Sequence, residues 1–219
     1  MKAYYILLCS ILIANLASAQ TIRYVRNGGT GDGSSWQNAS GAIQPMINES
    51  DSADEVWVAE GIYKPTALIV NQLDNTAPQE ERSAFTMKTG VKVLGGFPAT
   101  GNPVITDRDP LLHETILSGD IGTAGDSIDN CFHVVFFPNT INAVLDGLTI
   151  TGGFANGSTA LNLSTYIPSL GLDIVNYRGA GVYIYNGSNT ITNCKFHDNQ
   201  SIFEGGAVYA QGGTHQFSN

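Results

Sequence analysis

The sequence predicts an all-β fold: a right-handed single-stranded parallel β-helix with an N-terminal capping helix. The first observation is a repeat, since residues 179–193 and 205–219 align at an offset of 26 positions with five of fifteen identical. Such a period is typical of solenoids, whose units bury apolar faces against their neighbours. The second is a series of short strand patterns with no helix of crossover length between them, in a chain with 25 glycines and 13% charged residues. Parallel strands joined in this way form a β-helix, right-handed by the usual crossover rule.

Residues 1–19 have the pattern of a signal peptide. Lys2 is followed by an apolar run over residues 4–16, and Ala17–Ala19 is a small-residue cleavage site. A membrane anchor needs about 20 apolar residues, and this run is shorter. We therefore expect export to an extracellular or cell-surface location, associated with the outer membrane, and no transmembrane segment in the mature chain.

Residues 20–63 are expected to form an N-terminal cap and the first rung of the coil. Ser34 and Gln37 have the spacing of a capping box, and apolar residues follow at helical spacing. This pattern predicts a helix near residues 36–47. Pro45 lies inside it and should kink or shorten it, because proline removes a backbone donor.

Residues 64–219 are expected to form the rungs of the β-helix, with loop insertions near residues 64–83 and 154–178. Both insertions interrupt the strand rhythm, and loops on rigid scaffolds often carry function. The strand patterns from the cap onward are Val56–Val58, Val91–Leu94, Thr115–Leu117, His133–Phe137, Leu145–Thr151, Val182–Tyr185, Thr190–Thr192, Cys194–Phe196 and Val208–Tyr209.

The repeat predicts which residues stack between successive rungs. Val182 should lie over Val208 inside the coil, because alternate side chains of a strand point inward. Tyr183 and Tyr209 should then stack on the outside. Asn193 should occupy a corner, where asparagine tolerates a left-handed backbone.

Several motifs resemble those of known surface proteins. Gly205–Val208 is similar to the GGA[ILV] half, and Phe196–Asn199 to the FxxN half, of the repeat of chlamydial polymorphic outer-membrane proteins. The upstream runs resemble the N-terminal part of secreted right-handed β-helix proteins of pectin-lyase-like type: Phe85–Phe97, Thr115–Asp120, Asn130–Val135 and Leu145–Gly153. The resemblance covers nearly the whole mature chain. It implies the fold strongly and activity weakly, because that superfamily includes lyases, hydrolases, adhesins and passenger domains.

The second copy of the repeat stops at Phe217–Asn219, before its own FxxN motif. A solenoid that ends without a polar cap exposes an unpaired strand edge. We therefore expect the chain to be a fragment of a longer protein, truncated at its C-terminus.

Composition restricts the partners of the protein. The net charge is −9 and basic residues are not clustered, which argues against nucleic acid as a partner. A polysaccharide or a host or cell-surface ligand fits better. Tyr166 and Tyr177, in the second insertion, are the candidate carbohydrate-binding residues, because aromatic faces stack on sugar rings.

A group of oxygen donors in one glycine-containing loop is a candidate calcium site. Its members are Asp120, Asp126, Asp129 and Asn130. Calcium is bound by six to eight oxygens from flexible loops. The alternative is a set of acidic turn residues, because the spacing differs from that of an EF-hand. No other cofactor is indicated.

No catalytic residue is assigned from the sequence. Asp107, Arg108 and Asp109, with Asp146, are candidates for the set of a polysaccharide lyase or hydrolase. Turn and strand-edge roles explain them better, with Arg108 pairing locally. We therefore expect an exported, non-catalytic module for adhesion or carbohydrate binding. The alternative is a polysaccharide lyase or glycoside hydrolase of the pectin-lyase-like fold.

The mature chain retains two cysteines, Cys131 and Cys194. An oxidising compartment permits a disulfide between them. Two small apolar residues inside the coil are the favoured interpretation, because free cysteine is among the most buried residue types.

Overall fold

The computed structural model describes residues 20–69, 80–157, 164–167 and 171–219, without the side chains of 164–167 and 172. These residues form an all-β fold of parallel sheets with one short α-helix and three 3₁₀ turns (Glu80–Arg82, Ile105–Asp107 and Ser127–Asp129). The predicted signal peptide, residues 1–19, lies outside the described residues. The elements in chain order are β1 (Ile22–Val25), α1 (Ile43–Glu49), β2 (Glu55–Ala59), β3 (Gly61–Tyr63), β4 (Phe85–Thr86), β5 (Lys92–Phe97), β6 (Thr115–Ser118), β7 (Val135–Pro138), β8 (Ile141–Asp146), β9 (Thr149–Thr151), β10 (Phe154–Ala155), β11 (Ser164–Ile167), β12 (Leu172–Val175), β13 (Val182–Tyr185), β14 (Ser188–Thr192), β15 (Lys195–His197), β16 (Gln200–Ser201), β17 (Val208–Gln211) and β18 (Thr214–Ser218).

Three parallel sheets contain most of these strands. Sheet 1 has the order β1-β2-β5-β8-β14-β18, sheet 2 the order β3-β6-β9-β15, and sheet 3 the order β4-β7-β13-β17. From β2 onward the chain visits sheets 1, 2 and 3 in turn and then returns to sheet 1 beside its previous strand. We call each passage through the three sheets a coil. Neighbouring strands of every sheet therefore come from successive coils.

Inward side chains of successive coils form columns in the core. In sheet 1, Val56 pairs with Val93, Val93 with Leu145, and Leu145 with Ile191. All four are buried members of one apolar cluster. The register predicted from the repeat is confirmed, because Val182 pairs with Val208. The main cohesive force is therefore apolar burial between equivalent positions one coil apart.

The repeated turn residues have repeated backbone conformations. Gly179 and Gly205 both have positive φ, +67° and +68°, at the turn that leads into sheet 3. Asn193 has φ +50°, which confirms its predicted left-handed corner. Asn199, the asparagine of the FxxN motif, makes two side-chain hydrogen bonds to the preceding coil. Its Nδ2 donates to the Ile150 carbonyl (2.8 Å), and its Oδ1 accepts from Gly153 N–H (3.0 Å).

The N-terminal helix is shorter and later than predicted. It spans Ile43–Glu49 rather than residues 36–47, and Ala42 at its N-terminus makes no side-chain capping bond. Pro45 explains the shift, because proline is tolerated only in the first helical turn, where a backbone donor is not required. The proposed capping box is wrong. Ser34 instead donates its backbone N–H to Asp32 (2.9 Å) in a turn.

One predicted strand is divided into two. The segment Leu145–Thr151 contains the end of β8, a turn at Gly147 with φ +69°, and β9. The two strands belong to different sheets, so the turn at Gly147 is a corner of the coil. The alternation of apolar residues shifts by one position at this corner, from Leu145 to Leu148 and Ile150, and this shift is the sequence signal that separates the two strands.

Strand β12, in the insertion predicted at residues 154–178, packs on the outer face of sheet 3. Strands β11 and β12 form an antiparallel hairpin, and Ile174 of β12 packs in an apolar cluster with Phe136 and Tyr183. Tyr183 lies against Tyr209 of the next coil, as the repeat predicts, with 5.3 Å between ring centroids and the ring planes tilted by 49°. It is nevertheless fully buried, because Ile174 of β12 packs against the face on which it lies. Strand β12 is therefore part of the packed structure.

Both mature cysteines are free thiols. Cys131 is completely buried in the main apolar cluster, and Cys194 packs partly against it. Burial raises the pKa of both thiols, to about 11 for Cys194. The structure thus agrees with two small apolar residues rather than a disulfide.

Substitution of a column residue tests this packing. Val182→Asp places an unpaired charge at a fully buried position between Val135, which is buried, and Val208, which is partly buried, and should lower the free energy of unfolding by roughly 3–5 kcal/mol. Ser188→Asp, at an exposed position of the next strand, should change it by no more than about 0.5 kcal/mol. Urea unfolding of the two variants measures the difference. Equal destabilisation would contradict the register.

Candidate functional site

An exposed group of aromatic and charged side chains surrounds Arg178, and we call it the aromatic–arginine surface. Its members are Tyr177, Arg178, Phe203, Glu204 and Tyr209. The guanidinium carbon of Arg178 lies 4.9 Å from the ring centroid of Phe203, 5.2 Å from that of Tyr209 and 5.5 Å from that of Tyr177. Three aromatic rings thus contact one cation.

Polar bonds fix this cation in place. Arg178 Nη1 donates to the Tyr209 hydroxyl (2.9 Å), and Arg178 Nε lies 3.3 Å from Glu204 Oε2. The ring of Tyr177 meets that of Phe203 edge-on, with centroids 6.2 Å apart. Phe203 nevertheless remains 59% exposed. The arginine is held by the protein, and an aromatic ring remains open to solvent.

The repeat itself builds this surface. Tyr177 and Arg178 precede Gly179, and Phe203 and Glu204 precede Gly205, the equivalent glycine one coil later. A parallel bridge joins Arg178 to Glu204, and Gly179 N–H donates to the Glu204 carbonyl (3.1 Å). The repeat as first aligned began at Gly179. Extending the repeat by two positions towards the N-terminus pairs Tyr177 with Phe203 and Arg178 with Glu204. This extended repeat is the sequence signal from which the surface could have been predicted.

The two predicted carbohydrate-binding tyrosines have different outcomes. Tyr177 is half-buried on the aromatic–arginine surface. The backbone of Tyr166 pairs with Asp173 in the β11–β12 hairpin, but the side chain of Tyr166 lies outside the described residues.

The acidic loop at residues 120–130 uses its carboxylates as backbone acceptors. Asp120 accepts from Gly125 N–H (3.1 Å), Asp126 from Ile128 N–H (3.0 Å), and Asp129 from Thr123 N–H (2.7 Å). Asn130 is buried, and its Oδ1 makes no hydrogen bond to the described residues. The described ranges contain no group of three or more His, Cys, Asp or Glu side chains placed to hold a metal ion. The calcium site stays a prediction.

The residues of the candidate lyase or hydrolase set each make structural contacts. Asp107 accepts from Val104 N–H (2.8 Å), and Asp109 accepts from Leu111 N–H (2.9 Å). Arg108 does not pair locally, as the sequence suggested. It makes a two-pronged ion pair with Asp146, 38 positions away, at 2.8 and 3.2 Å.

Asp146 is already fully engaged by the protein. Its Oδ1 also accepts from Asn193 Nδ2 (2.8 Å), so that one carboxylate joins Arg108 of the β5–β6 loop to a corner one coil further on. Both partners of the ion pair are largely buried, at 14% and 19% side-chain exposure. The pair holds the β5–β6 loop against sheet 1.

A second polar group, not found from the sequence, lies on the outer face of sheet 2. Glu114 Oε1 accepts from Thr149 Oγ1 (2.8 Å) and lies 3.3 Å from Lys195 Nζ. In the next row of the sheet, His197 Nδ1 lies 3.1 Å from Thr151 Oγ1. These residues come from three coils, so only the stacking of β6, β9 and β15 brings them together.

This arrangement keeps Glu114 ionised. The hydrogen bond from Thr149, and then the interactions with Lys195, lower the pKa of the Glu114 carboxyl below its usual range. A general acid in glycoside hydrolysis requires the opposite shift. Glu114 is therefore suited to fixing a cation rather than to donating a proton.

The comparisons with known proteins assign this chain to no family. Family models, curated proteins and solved structures all lack a match to this chain. None of the helices in the part of the chain that the structure describes has the length and apolar character that a membrane crossing requires.

Proposed function

We propose that this chain is an exported, non-catalytic β-helix module of a surface or extracellular protein, and that it binds carbohydrate through the aromatic–arginine surface. The repeated passage through three parallel sheets supports a single-stranded β-helix, and the crossover rule makes it right-handed. Its kinship is with pectin-lyase-like surface proteins that carry repeats of the chlamydial polymorphic outer-membrane type. The leader pattern of residues 1–19 supports export to the outer membrane or beyond it.

The observation that supports carbohydrate binding is an exposed aromatic ring beside fixed polar groups. Phe203 and Tyr177 offer apolar faces, against which the C–H groups of a sugar ring pack. Arg178 and Glu204 lie beside them as a donor and an acceptor for sugar hydroxyls. A rigid site with these groups loses little entropy on binding. The ligand is a cell-surface or extracellular polysaccharide.

Binding should depend on the aromatic rings of this surface. Phe203→Ala and Tyr177→Ala should each weaken polysaccharide binding, because an aromatic contact contributes about 0.5–1.5 kcal/mol, roughly two- to twelvefold in Kd. Ile202→Ala, at an exposed apolar position beside Phe203, is the matched control and should bind normally. Affinity electrophoresis in pectate, alginate and neutral glycans measures the change. The same mobility for all variants in every glycan would exclude this surface.

The calcium site predicted at Asp120, Asp126, Asp129 and Asn130 is tested by thermal unfolding. If the folded state binds calcium there, calcium at 100 times its Kd should stabilise the mature protein by about 2.7 kcal/mol. Asp126→Asn should abolish the rise in Tm. Asp109→Asn changes a carboxylate with the same kind of backbone contact outside the loop and should leave the rise intact. A Tm that calcium does not change would remove the site.

A second candidate function, polysaccharide cleavage, is favoured by one pocket. It has a volume of about 570 Å³ and is lined by Arg108, Asp109, Asn193 and Lys195, so it presents two cations beside a carboxylate. A lyase needs a base next to groups that neutralise the charge of a uronate. The paired state of Arg108 and the ionised state of Glu114 favour the non-catalytic proposal.

Product formation distinguishes the two functions. The mature protein should release neither unsaturated products nor reducing ends from pectate, alginate or neutral glycans, because the candidate acids are engaged in structural bonds. Turnover that Lys195→Ala abolishes and Lys64→Ala preserves would establish the enzyme instead. Lys64 is the matched control, since it is a partly exposed lysine paired with Asp120 (3.8 Å).

A further inference from the structure

A second pocket lies at the opposite end of the coil from the aromatic–arginine surface, and we call it the tryptophan pocket. It has a volume of about 540 Å³, within the range of small-molecule sites. Its apolar lining includes Tyr24 of β1, Trp57 of β2 and Trp36 of the β1–α1 loop. Tyr24 and Trp57 are paired across neighbouring strands, so both belong to one row of sheet 1.

The aromatic rings of this pocket are held rigidly. Trp57 stacks on Phe97 with 4.6 Å between ring centroids and 14° between planes, and Tyr24 lies 4.9 Å from Trp36. The indole N–H of Trp36 donates to the Pro103 carbonyl (2.8 Å), and that of Trp57 donates to Glu55 (2.8 Å). Both indole donors are satisfied by the protein, so the tryptophans offer a ligand only apolar surface. Tyr24, which is half-buried, is the most accessible of the three rings.

The loops that border the pocket are fixed as well. Arg26 donates from Nη1 to the Trp36 carbonyl (3.3 Å) and from Nη2 to the Gly101 carbonyl (3.0 Å), which joins the β1–α1 loop to the β5–β6 loop. Glu60 accepts from Ala99 N–H (3.0 Å) at the base of the second loop. The pocket is therefore preformed, and a ligand does not need to order these loops.

The rim of the pocket is polar and uncharged. Ser34, Gln37 and Asn102 line it and are exposed, and they supply hydroxyl and amide groups that both donate and accept. Among the residues described as lining it, none is acidic or basic. This chemistry differs from that of the aromatic–arginine surface, whose polar members are charged.

We propose that the tryptophan pocket is a second binding site, and that it takes a neutral pyranose oligosaccharide. Aromatic surface packs against the C–H faces of a sugar ring, while neutral amides and hydroxyls bond its hydroxyl groups. A charged sugar would lose hydration here without gaining an ionic partner. Packing of the cap explains why Trp36 and Trp57 are buried, at 4% and 7% exposure, but it does not explain an open volume bordered by three exposed neutral polar side chains.

The fluorescence of the protein reports on this pocket directly, because Trp36 and Trp57 are the only tryptophans of the chain. The mature protein is titrated with cellohexaose, maltohexaose and xylohexaose, with hexagalacturonate as the charged comparison. At least one neutral hexasaccharide should give a saturable change, and hexagalacturonate a weaker one. If none of the three gives a saturable change up to roughly 10 mM, where a ligand with a millimolar Kd is mostly bound, the proposal is wrong.

Variants at the rim localise the response. Gln37→Ala and Asn102→Ala should each raise the Kd roughly two- to tenfold, because each removes a hydrogen-bonding group from an exposed position that lines the pocket. Thr106→Ala, an exposed polar position of the same loop outside the pocket lining, should leave the Kd unchanged. Unchanged titrations of both rim variants would place the ligand elsewhere and overturn the proposal.

Phe203→Ala separates this site from the aromatic–arginine surface. It should leave the tryptophan titration unchanged, even if it abolishes binding at the other surface. A titration lost in Phe203→Ala would show that the fluorescence follows the first surface and would overturn the second site. Failure of the proposed function leaves the titration in place, so the two proposals fail separately.

Discussion

The whole structure depends on in-register stacking of parallel strands from successive coils. A strand of this length cannot bury its inward side chains alone, so each depends on the equivalent strand one coil away. The column through Val56, Val93, Leu145 and Ile191 shows how this works in sheet 1, where every member is buried between neighbours. Left-handed corners such as Asn193 keep the chain turning, so that each coil returns to the correct row. Loops of different lengths leave this register intact because they emerge between strands.

The stacked core also determines where function can lie. The outer faces of the sheets do not pack in the core of the coil, and each of the three faces has different surroundings. Strand β12 packs on sheet 3, whereas Trp36 of the β1–α1 loop packs on the first strands of sheet 1 and is bonded there to Pro103 of the β5–β6 loop. Sheet 2 carries an exposed polar row that includes Glu114 and Lys195. Both proposed binding sites form where a covering segment meets a sheet and leaves part of an aromatic cluster open.

The two proposed sites would act together on a polymeric ligand. When two modest sites engage one polymer, the second binding event is intramolecular, and the combined affinity exceeds that of either site. The aromatic–arginine surface has charged polar groups, and the tryptophan pocket has neutral ones. A polysaccharide that contains both charged and neutral sugars would engage them together.

The all-β class, the repeat, the register of Val182 on Val208 and the corner at Asn193 were all predictable from the sequence, because each depends on local alternation or on a residue type that a turn requires. The sequence placed the helix too early, since Pro45 was expected to kink or shorten a helix over residues 36–47, whereas Pro45 lies in the first turn of a helix that begins at Ile43. It also identified Tyr177 as an accessible aromatic residue of an insertion, although its partners remained hidden.

Contacts between distant residues could be read only from the folded chain. The pairing of Arg108 with Asp146 and of Glu114 with Lys195 joins different coils, and the lengths of the intervening loops have no period from which the contacts could be read. Tyr183 was placed correctly on an outer face, but its burial depends on a hairpin that folds back over it. The tryptophan pocket likewise needs two loops far apart in the chain to meet across sheet 1. The stacking of strands follows from the sequence repeat and can be predicted from it. Contacts between loops depend instead on where the stacked coils place each loop, and no repeat encodes those positions.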